Sequence, residues 1–515
     1  MSEQPVTTPK RLVYNTFFNI VTLVSNAVVG FFLIRFFLGR LGEDRFGVWL
    51  LIGGSIFRYA PLLNMGLNSS INWYIPTYLV GKNEQGIQRV ISTSFFAFSI
   101  LAVILAAVSI AIYYNVGSWF AISADLVPAA ESLVLVVGFC FALAMPLQLS
   151  TATLSGMQRY DIINLALILA LLLRTTILVV MLSYGYGLLT MGLAFGLGEI
   201  TVRILHFYYA KKLLPQMSLS FAHIDFGLLR RMLAYGINTF LYTMGAVAIY
   251  HASNIVIGIF IGSAEISQFA TAGAGVLLLS QLLYAFTAAI KPAVSDLDAR
   301  EDLSTVKELA FLTQKYSLLL IIPGGCFLIA MGREFLQIWV GGIFRDPAVI
   351  NTMGTILSIL VVGHCIRLAQ HSNFLVLVGR GRHKIFGILT ALTALLCITG
   401  SVISIKVFDW GLVGIAWSNF LPMVLITGVI IPIYFNWKMR ISMKETFRNV
   451  WKPALLGSLP VVIMISVWEY LAPPDSWFEI VGVVVAAAIL TVLCGWFLSL
   501  KDIERKRFIH IALRK

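Results

Sequence analysis

The feature that most constrains this chain is a series of about fourteen apolar stretches, each long enough to cross a bilayer as a helix. A hydrocarbon core of roughly 30 Å is spanned by roughly 20 helical residues. The stretches lie near residues 13–37, 46–77, 92–114, 127–155, 162–183, 187–210, 232–262, 265–290, 310–331, 350–378, 385–406, 410–436, 453–472 and 478–500. Because only 12% of the 515 residues are charged, against about a quarter in soluble proteins, the chain lacks the polar residues that a water-facing surface needs. We therefore expect an all-α polytopic membrane protein with about 14 transmembrane helices.

Lys and Arg residues are concentrated in alternate loops. With the N-terminus in the cytoplasm, 27 of the 37 basic residues fall on the cytoplasmic side and five on the opposite side. This asymmetry predicts that both termini are cytoplasmic, and we expect a multi-pass protein of the cell inner membrane. The net charge of +13 arises from basic residues in short loops, where they set the orientation of the spans. We therefore expect no nucleic-acid partner.

The loop 211–231 is the longest basic connection and lies between the sixth and seventh spans. It suggests a division into a cytoplasmic tail 1–12, a six-helix lobe 13–210, the loop itself, a second six-helix lobe 232–436, two further helices in 437–500 and a basic cytoplasmic tail 501–515. The two lobes begin alike, with YNTFF at 14–18 and YGINTF at 235–240. Parallel six-helix repeats are a known transporter architecture, which agrees with this division.

Five arginines lie within the spans, and each costs roughly 3 kcal/mol at the bilayer centre unless it faces protein or water. They are Arg35, Arg58, Arg174, Arg203 and Arg367. Arg35 is near the end of the first span, where a long side chain reaches the headgroups, and we interpret it in that way. The other four are candidate substrate-binding residues.

Two polar stripes accompany these arginines. If the second span is one continuous helix, four residues fall within an arc of about 80° at 100° per residue and form a strip that faces ligand or water: Gly54, Arg58, Asn68 and Asn72. On the first span, four polar residues share one face: Asn15, Asn19, Thr22 and Asn26. The first-span stripe has two interpretations, polar contacts between helices or the lining of a cavity for sugars.

Glu199 is the one acidic residue deep in a predicted span. Arg174 lies at a similar depth, and Arg203 follows Glu199 by four residues, so both arginines compete for one carboxylate. Two cations and one anion leave a surplus positive charge. The group is either a structural cluster or an anion site in which Glu199 orients the arginines.

The tenth span places His364, Arg367 and His371 on one face within about 60°, with Asn373 nearby. On the seventh span lie His251 and Asn254. Histidine titrates near neutral pH, so these residues are candidates for phosphate binding or proton coupling. An adjacent arginine disfavours a metal ion, and we expect no metal and no cofactor.

Two acidic motifs favour other classes of protein. Asp296 and Asp298 form a D-x-D like the metal-binding motif of glycosyltransferases, and Glu43-Asp44 is similar to the acidic pair of membrane glycosyltransferases. The chain lacks the large outer domain that such enzymes usually have. No GxxxxGK[ST] motif occurs, so the chain has no ATP-binding P-loop of its own.

Four segments resemble the polysaccharide-biosynthesis flippase family, which is grouped with O-antigen translocases, lipid II flippases and multidrug-and-toxin extruders. They are GRLGEDRFGVWLLI at 39–52, SIFRYAPLLNMGL at 55–67, KPAVS at 291–295 and FLQIWVGGIF at 335–344. The resemblance implies two six-helix lobes around a central cavity plus two C-terminal helices, and alternating access. It also implies transfer of an undecaprenyl-diphosphate-linked oligosaccharide across the inner membrane. The family often has Asp where this chain has Asn64, and the first span lacks the acid that drug extruders use for cation coupling.

The function predicted from these observations is that of a flippase for a polysaccharide or O-antigen repeat unit, a transporter and not an enzyme. In this hypothesis the diphosphate or acidic sugars bind Arg58, Arg174, Arg203 and Arg367, the glycan faces Asn26, Asn68 and Asn72, and His251 joins the substrate-binding set. We assign Glu199, His364 and His371 to orienting the charged groups or to coupling transport to protons. His251 is also considered for proton coupling.

The expected partners are the lipid-linked oligosaccharide, the bilayer, and polysaccharide polymerase and chain-length proteins, with the chain itself a monomer. The alternatives are a cation-coupled multidrug extruder and a polytopic glycan polymerase or ligase.

Overall fold

The computed structural model describes residues 9–288, 290–382, 384–502 and 504–506. Parts of the predicted cytoplasmic tails, residues 1–8 and 507–515, lie outside the described residues. Within the described residues, 14 helices are long and apolar enough to cross a membrane, which confirms the predicted number. These spans are Val21–Leu41, Glu43–Asn64, Glu84–Trp119, Val127–Ala144, Tyr160–Ser183, Leu188–Leu213, Phe240–Phe260, Ser263–Thr287, Leu303–Ala330, Pro347–Gly379, Lys384–Lys406, Gly411–Met439, Met443–Leu471 and Trp477–Ser499.

The first six spans are built from eight α-helices. In chain order they are α1 Pro9–Leu41, α2 Glu43–Ile52, α3 Leu67–Val80, α4 Glu84–Trp119, α5 Val127–Ala144, α6 Gln148–Gly156, α7 Tyr160–Ser183 and α8 Leu188–Leu213. A 3₁₀ helix, Ile56–Asn64, lies between α2 and α3.

The remaining spans contain thirteen further α-helices in the described part of the chain. They are α9 Phe226–Phe260, α10 Ser263–Thr287, α11 Ile290–Ala299, α12 Leu303–Ala330, α13 Gly332–Val340, α14 Pro347–Ala369, α15 His371–Gly379, α16 Lys384–Lys406, α17 Gly411–Pro422, α18 Ile431–Met439, α19 Met443–Thr446, α20 Lys452–Leu471 and α21 Trp477–Cys494.

The chain divides into two compact units. One contains Met1–Ala270 with Thr390–Ala394, and the other contains Thr271–Leu389 with Leu395–Lys515. The boundary between them falls within α10.

The second span is not the single helix that the sequence predicted over 46–77. α2 ends at Ile52, the 3₁₀ helix follows the bend at Ser55, and α3 begins only at Leu67. Two glycines precede the bend, and Pro61 within the 3₁₀ helix has no N–H to donate, so a regular α-helix is disfavoured here. The predicted 80° arc of Gly54, Arg58, Asn68 and Asn72 assumed 100° per residue along the whole span. Because the span is interrupted, this prediction is wrong.

Helix breaks also accompany three other spans. A separate helix, α6, follows the fourth span beyond Pro146, α11 follows the eighth span, and the tenth span breaks between α14 and α15 at Gln370. Spans two and eight, and four and ten, are six spans apart. In one unit α3 packs against α6, and in the other α11 packs against α15. The same order of broken helices thus occurs in both units, and the division into six-helix lobes stays a prediction.

The second interruption of span two requires glycine. Gly66 has φ +82°, and a Cβ placed there would lie 2.3 Å from the carbonyl oxygen of Gly236 on α9. The Oδ1 of Asn64 accepts a hydrogen bond from the Gly66 N–H at 2.9 Å, and Ser70 Oγ donates to the Met232 carbonyl at 2.5 Å. Asn64 therefore supplies the acceptor for this turn.

Lys315 lies within α12, in the ninth span, and is 1% exposed. Its Nζ donates to both carboxylate oxygens of Glu504, at 2.9 and 2.7 Å, and to the Ser499 carbonyl at 3.3 Å. A buried ammonium needs such partners, and this ion pair attaches the segment after α21 to the ninth span.

Replacing Gly66 with Ala is expected to destabilise the protein by about 2 kcal/mol or more, because a Cβ both disfavours positive φ and meets the Gly236 backbone. The measurement is the free energy of unfolding by SDS titration from neutral detergent micelles. Gly30→Ala is the control, since a Cβ at Gly30 meets nothing within 4 Å. Equal stability of the two variants would contradict the close backbone approach.

Candidate functional site

Arg58 lies on the 3₁₀ helix of the interrupted second span. The turn that precedes it is held by Asn254 of α9, whose Nδ2 donates to Ser55 Oγ at 3.1 Å. Ser55 and Asn254 are buried, whereas the Arg58 side chain is exposed. The interruption thus directs one cationic side chain of a membrane span toward accessible space.

Arg58 lies among other charged and titratable groups of the same unit. It is close enough to Glu199 and Arg174 for their charges to interact, and its own charge acts on His251. Four residues that the sequence placed on separate spans are therefore neighbours.

The competition for Glu199 is decided in favour of Arg203. The Nη2 of Arg203 forms an ion pair with Glu199 Oε1 one helical turn away. Arg174 instead donates from Nη2 to Asn26 Oδ1 at 3.1 Å, and its guanidinium lies 4.9 Å from the centre of the Phe195 ring. Arg174 is thus stabilised by a neutral amide and an aromatic face, and it retains its full positive charge.

The net charge of this group of residues is positive. Arg58, Arg174 and Arg203 contribute three cations, and Glu199 is the carboxylate among them. The surplus of two positive charges is larger than the sequence predicted, because Arg58 joins the cluster. A low-dielectric region with surplus cations attracts anions.

The asparagines of the predicted stripes divide into two groups. Asn26 binds Arg174, and Asn19 accepts a hydrogen bond from Asn164 of α7 at 2.6 Å, so both connect α1 to α7. The side chain of Asn15 lies outside the described residues. For Asn19 the structure favours polar contact between helices.

Asn68 and Asn72 lie on α3, beyond both interruptions of the second span, and no described hydrogen bond joins them to the arginines. Their Oδ1 atoms are buried without a hydrogen-bond partner. Asn72 packs beside Gly156 of α6, whose Cβ position lies 3.3 Å from the Asn72 backbone. Buried acceptors without a partner are uncommon in folded proteins, and neither amide is bonded to the arginine group.

A second group of predicted residues lies in the other unit. The Nη2 of Arg367 donates to the Tyr284 hydroxyl at 3.1 Å, and the Tyr284 ring is 4.6 Å from the His371 ring, centre to centre. The charge of Arg367 acts on both His364 and His371. The helix break at Gln370 falls inside the predicted stripe, yet the three residues remain neighbours.

Sequence reasoning missed Thr151, His206 and Tyr284. Thr151 Oγ1 accepts a hydrogen bond from Arg203 Nη1 at 2.7 Å and lies 2.8 Å from His206 Nδ1. Glu199, Arg203 and His206 follow at i, i+4 and i+7, so helical spacing on α8 was a signal for His206. No local pattern pointed to Thr151 or Tyr284.

The acidic motifs have other partners. Asp296 forms an ion pair with Arg300 at 2.9 Å, and Asp298 forms one with Arg380 at 2.7 Å. In the described residues no group of three or more His, Cys, Asp or Glu side chains could hold a metal ion.

The first acidic pair, at the start of α2, is also engaged. Asp44 Oδ1 accepts from Ser263 Oγ at 2.9 Å, and Glu43 Oε2 accepts from Gln268 at 3.2 Å.

Comparisons with known proteins agree on a family and a fold. A family model described as polysaccharide biosynthesis protein matches residues 66–348. The solved structure of the lipid II flippase MurJ, in an inward closed conformation, has 15% identity and a TM-score of 0.70, with 95% of this chain and 99% of that chain covered. An inward-facing multidrug resistance MATE transporter of the MOP superfamily has 14% identity and a TM-score of 0.66, with 81% and 94% covered.

A third structure is that of a MOP superfamily transporter from Pyrococcus furiosus, whose description reports a binding pocket of reversed polarity. It has 13% identity and a TM-score of 0.60, with 84% of this chain and 95% of that chain covered. No curated protein matches the chain. At these identities the structural likeness shows a shared fold.

Replacing Glu199 with Gln should lower the free energy of unfolding by about 1–3 kcal/mol, because Arg203 loses its ionic partner in a largely buried position. In a double-mutant cycle with Arg203→Gln, we expect a coupling energy of about 1 kcal/mol or more. The measurement is SDS-titration unfolding in micelles, with Glu131→Gln on α5 as the charge-matched control. A coupling energy near zero would show that the ion pair does not stabilise the fold.

Proposed function

Because the chain belongs to the polysaccharide biosynthesis protein family, we propose that it is a flippase for a lipid-linked oligosaccharide. The proposed cargo is a polysaccharide repeat unit on undecaprenyl diphosphate. It moves from the cytoplasmic to the periplasmic face by alternating access, and no bond of the cargo is made or broken. The observation that carries this proposal is the group of three arginines around one carboxylate in membrane-spanning helices.

The chemistry of a diphosphate suits this group. A guanidinium offers several N–H donors in a fixed plane, which can bind two phosphate oxygens at once. Arg58 has the most accessible side chain, and Arg174 has a neutral partner in Asn26. Glu199 holds Arg203 in place and leaves two positive charges for the ligand.

The remaining predicted residues have proposed roles of the same kind. Arg367, with Tyr284 beside it, belongs to the proposed set of residues that bind diphosphate or acidic sugars, and His364 and His371 are the candidates for proton coupling. His251 borders Arg58 and belongs to the proposed substrate-binding set.

The amides with unpaired acceptors on α3, Asn68 and Asn72, face the glycan in this proposal. Asparagine amides have both hydrogen-bond donors and acceptors that suit sugar hydroxyls.

We place the protein in the cell inner membrane with both termini in the cytoplasm, as the distribution of basic residues indicates. Its two six-helix lobes, residues 13–210 and 232–436, are proposed to move between inward-open and outward-open states. Polymerase and chain-length proteins are the proposed downstream partners of a monomeric flippase.

Two other functions are less well supported. A cation-coupled drug extruder needs an acid that is free to release a proton, and Glu199 is engaged by Arg203. A polymerase or ligase needs catalytic acids, and Asp296 and Asp298 are both occupied by arginines.

Arg58→Gln is expected to slow translocation roughly tenfold or more, because it removes a charge-assisted contact to the diphosphate. The measurement is accumulation of lipid-linked repeat units on the cytoplasmic face in a strain whose only copy of the gene carries the variant. Arg89→Gln, which removes an exposed charge from α4, should transport normally.

Deletion of the gene should trap repeat units in the same way as Arg58→Gln, but completely. Normal surface polysaccharide after deletion, in a strain without a second flippase, would rule out the proposed cargo. Efflux of a cationic dye that depends on Glu199 would instead support an extruder, and chain elongation by the purified protein would support a polymerase.

A further inference from the structure

A hydrogen-bonded chain leads away from the Arg203–Glu199 pair into the protein. Arg203 Nη1 is 2.7 Å from Thr151 Oγ1, which is 2.8 Å from His206 Nδ1. His206 Nε2 lies 3.4 Å from the carbonyl oxygen of Ile163. The chain runs from Arg203 on α8 to Thr151 on α6, returns to α8 at His206 and ends on α7.

The direction of each hydrogen bond follows from the groups involved. A guanidinium can only donate and a carbonyl can only accept, so Thr151 Oγ1 accepts from Arg203 and His206 Nε2 donates to Ile163. In a neutral imidazole that donates from Nε2, Nδ1 has no proton, so the Thr151 hydroxyl donates to His206 Nδ1. The neutral imidazole with its proton on Nε2 is therefore the form that satisfies all three contacts.

His206 is almost fully buried, with 1% of its surface exposed, whereas Arg203 and Glu199 are 15% and 27% exposed. The accessible end of the chain is thus the ion pair, and its interior end is the histidine. Because Thr151 lies on α6, the short helix after the break in span four, the guanidinium is held from one side by its own helix and from the other by α6.

We propose that Thr151 and His206 are positioning residues for Arg203: Thr151 holds the guanidinium plane, and His206 fixes the rotation of the Thr151 hydroxyl. This proposal rests on the proposed anion-binding function of the arginine group. Neither residue contacts the anion in this arrangement. Their effect is to keep the arginine in the orientation in which its remaining N–H groups face the ligand.

Thr151→Val tests the proposal directly, since it keeps the shape of the side chain and removes the hydroxyl. The probe is inorganic pyrophosphate, titrated against the full-length protein in detergent micelles with intrinsic tryptophan fluorescence as the readout. We expect Thr151→Val to weaken binding roughly tenfold and Thr151→Ser to bind like the wild type, because the serine hydroxyl restores the contact.

The matched control is Thr153→Val on the same helix. Thr153 is fully buried, but its hydroxyl donates to the Leu149 carbonyl of its own helix at 2.9 Å and has no part in the chain to Arg203. This variant should bind pyrophosphate with unchanged affinity, although it loses a buried hydroxyl of the same kind.

His206 provides a second, independent pair of variants should Thr151→Val fail to fold. Gln can accept from Thr151 and donate to Ile163, so His206→Gln should bind within about twofold of the wild type, whereas His206→Leu should lose roughly tenfold. Thermal unfolding of each variant separates loss of binding from loss of the fold.

The outcomes distinguish the two proposals. If Arg203→Gln loses pyrophosphate binding while Thr151→Val and His206→Leu bind like the wild type, the positioning role is wrong and the anion site stands. If the wild type does not bind pyrophosphate, the anion site is wrong and the positioning role is overturned with it. Equal losses in Thr151→Val and Thr153→Val would show that the effect is structural and would also overturn the proposal.

Discussion

The cost of leaving a charge or a backbone polar group without a partner in hydrocarbon is the constraint on which this structure depends. Inside a bilayer no water is available to make up a missing hydrogen bond. Three of the charged side chains within spans meet that requirement through partners that the structure identifies. Arg203 has Glu199, Arg174 has Asn26 and an aromatic face, and Lys315 has Glu504.

The same constraint explains why the helix breaks matter. An interrupted helix frees backbone groups that must be satisfied locally, and at the second turn of span two the Gly66 N–H donates to Asn64 Oδ1. At the first turn, the side chains of Asn254 and Ser55 are hydrogen-bonded to each other. Discontinuous helices at membrane depth are typical of transporter binding sites, and Arg58 lies between these two turns.

The fold by itself does not identify the cargo. Lipid flippases and drug extruders share it, so the substrate class has to be argued from the side chains that the fold brings together. Three arginines around one carboxylate favour an anion, whereas a cationic drug would be repelled by them. The family assignment points to polysaccharide biosynthesis, and the charge balance independently favours an anion.

The sequence alone determined the fourteen spans, because length and hydropathy are local properties of each segment. It also identified most charged members of the site, since an arginine in an apolar span is visible without a structure. Only the tertiary structure decided which arginine pairs with Glu199 and how Thr151 and His206 reach Arg203. It also decided where spans two and ten break. The break at Gln370 has no proline or glycine to mark it, and Thr151 is 52 residues from Arg203 in the chain. These contacts join helices that are distant in sequence, and side-chain spacing along one helix contains no information about its neighbours.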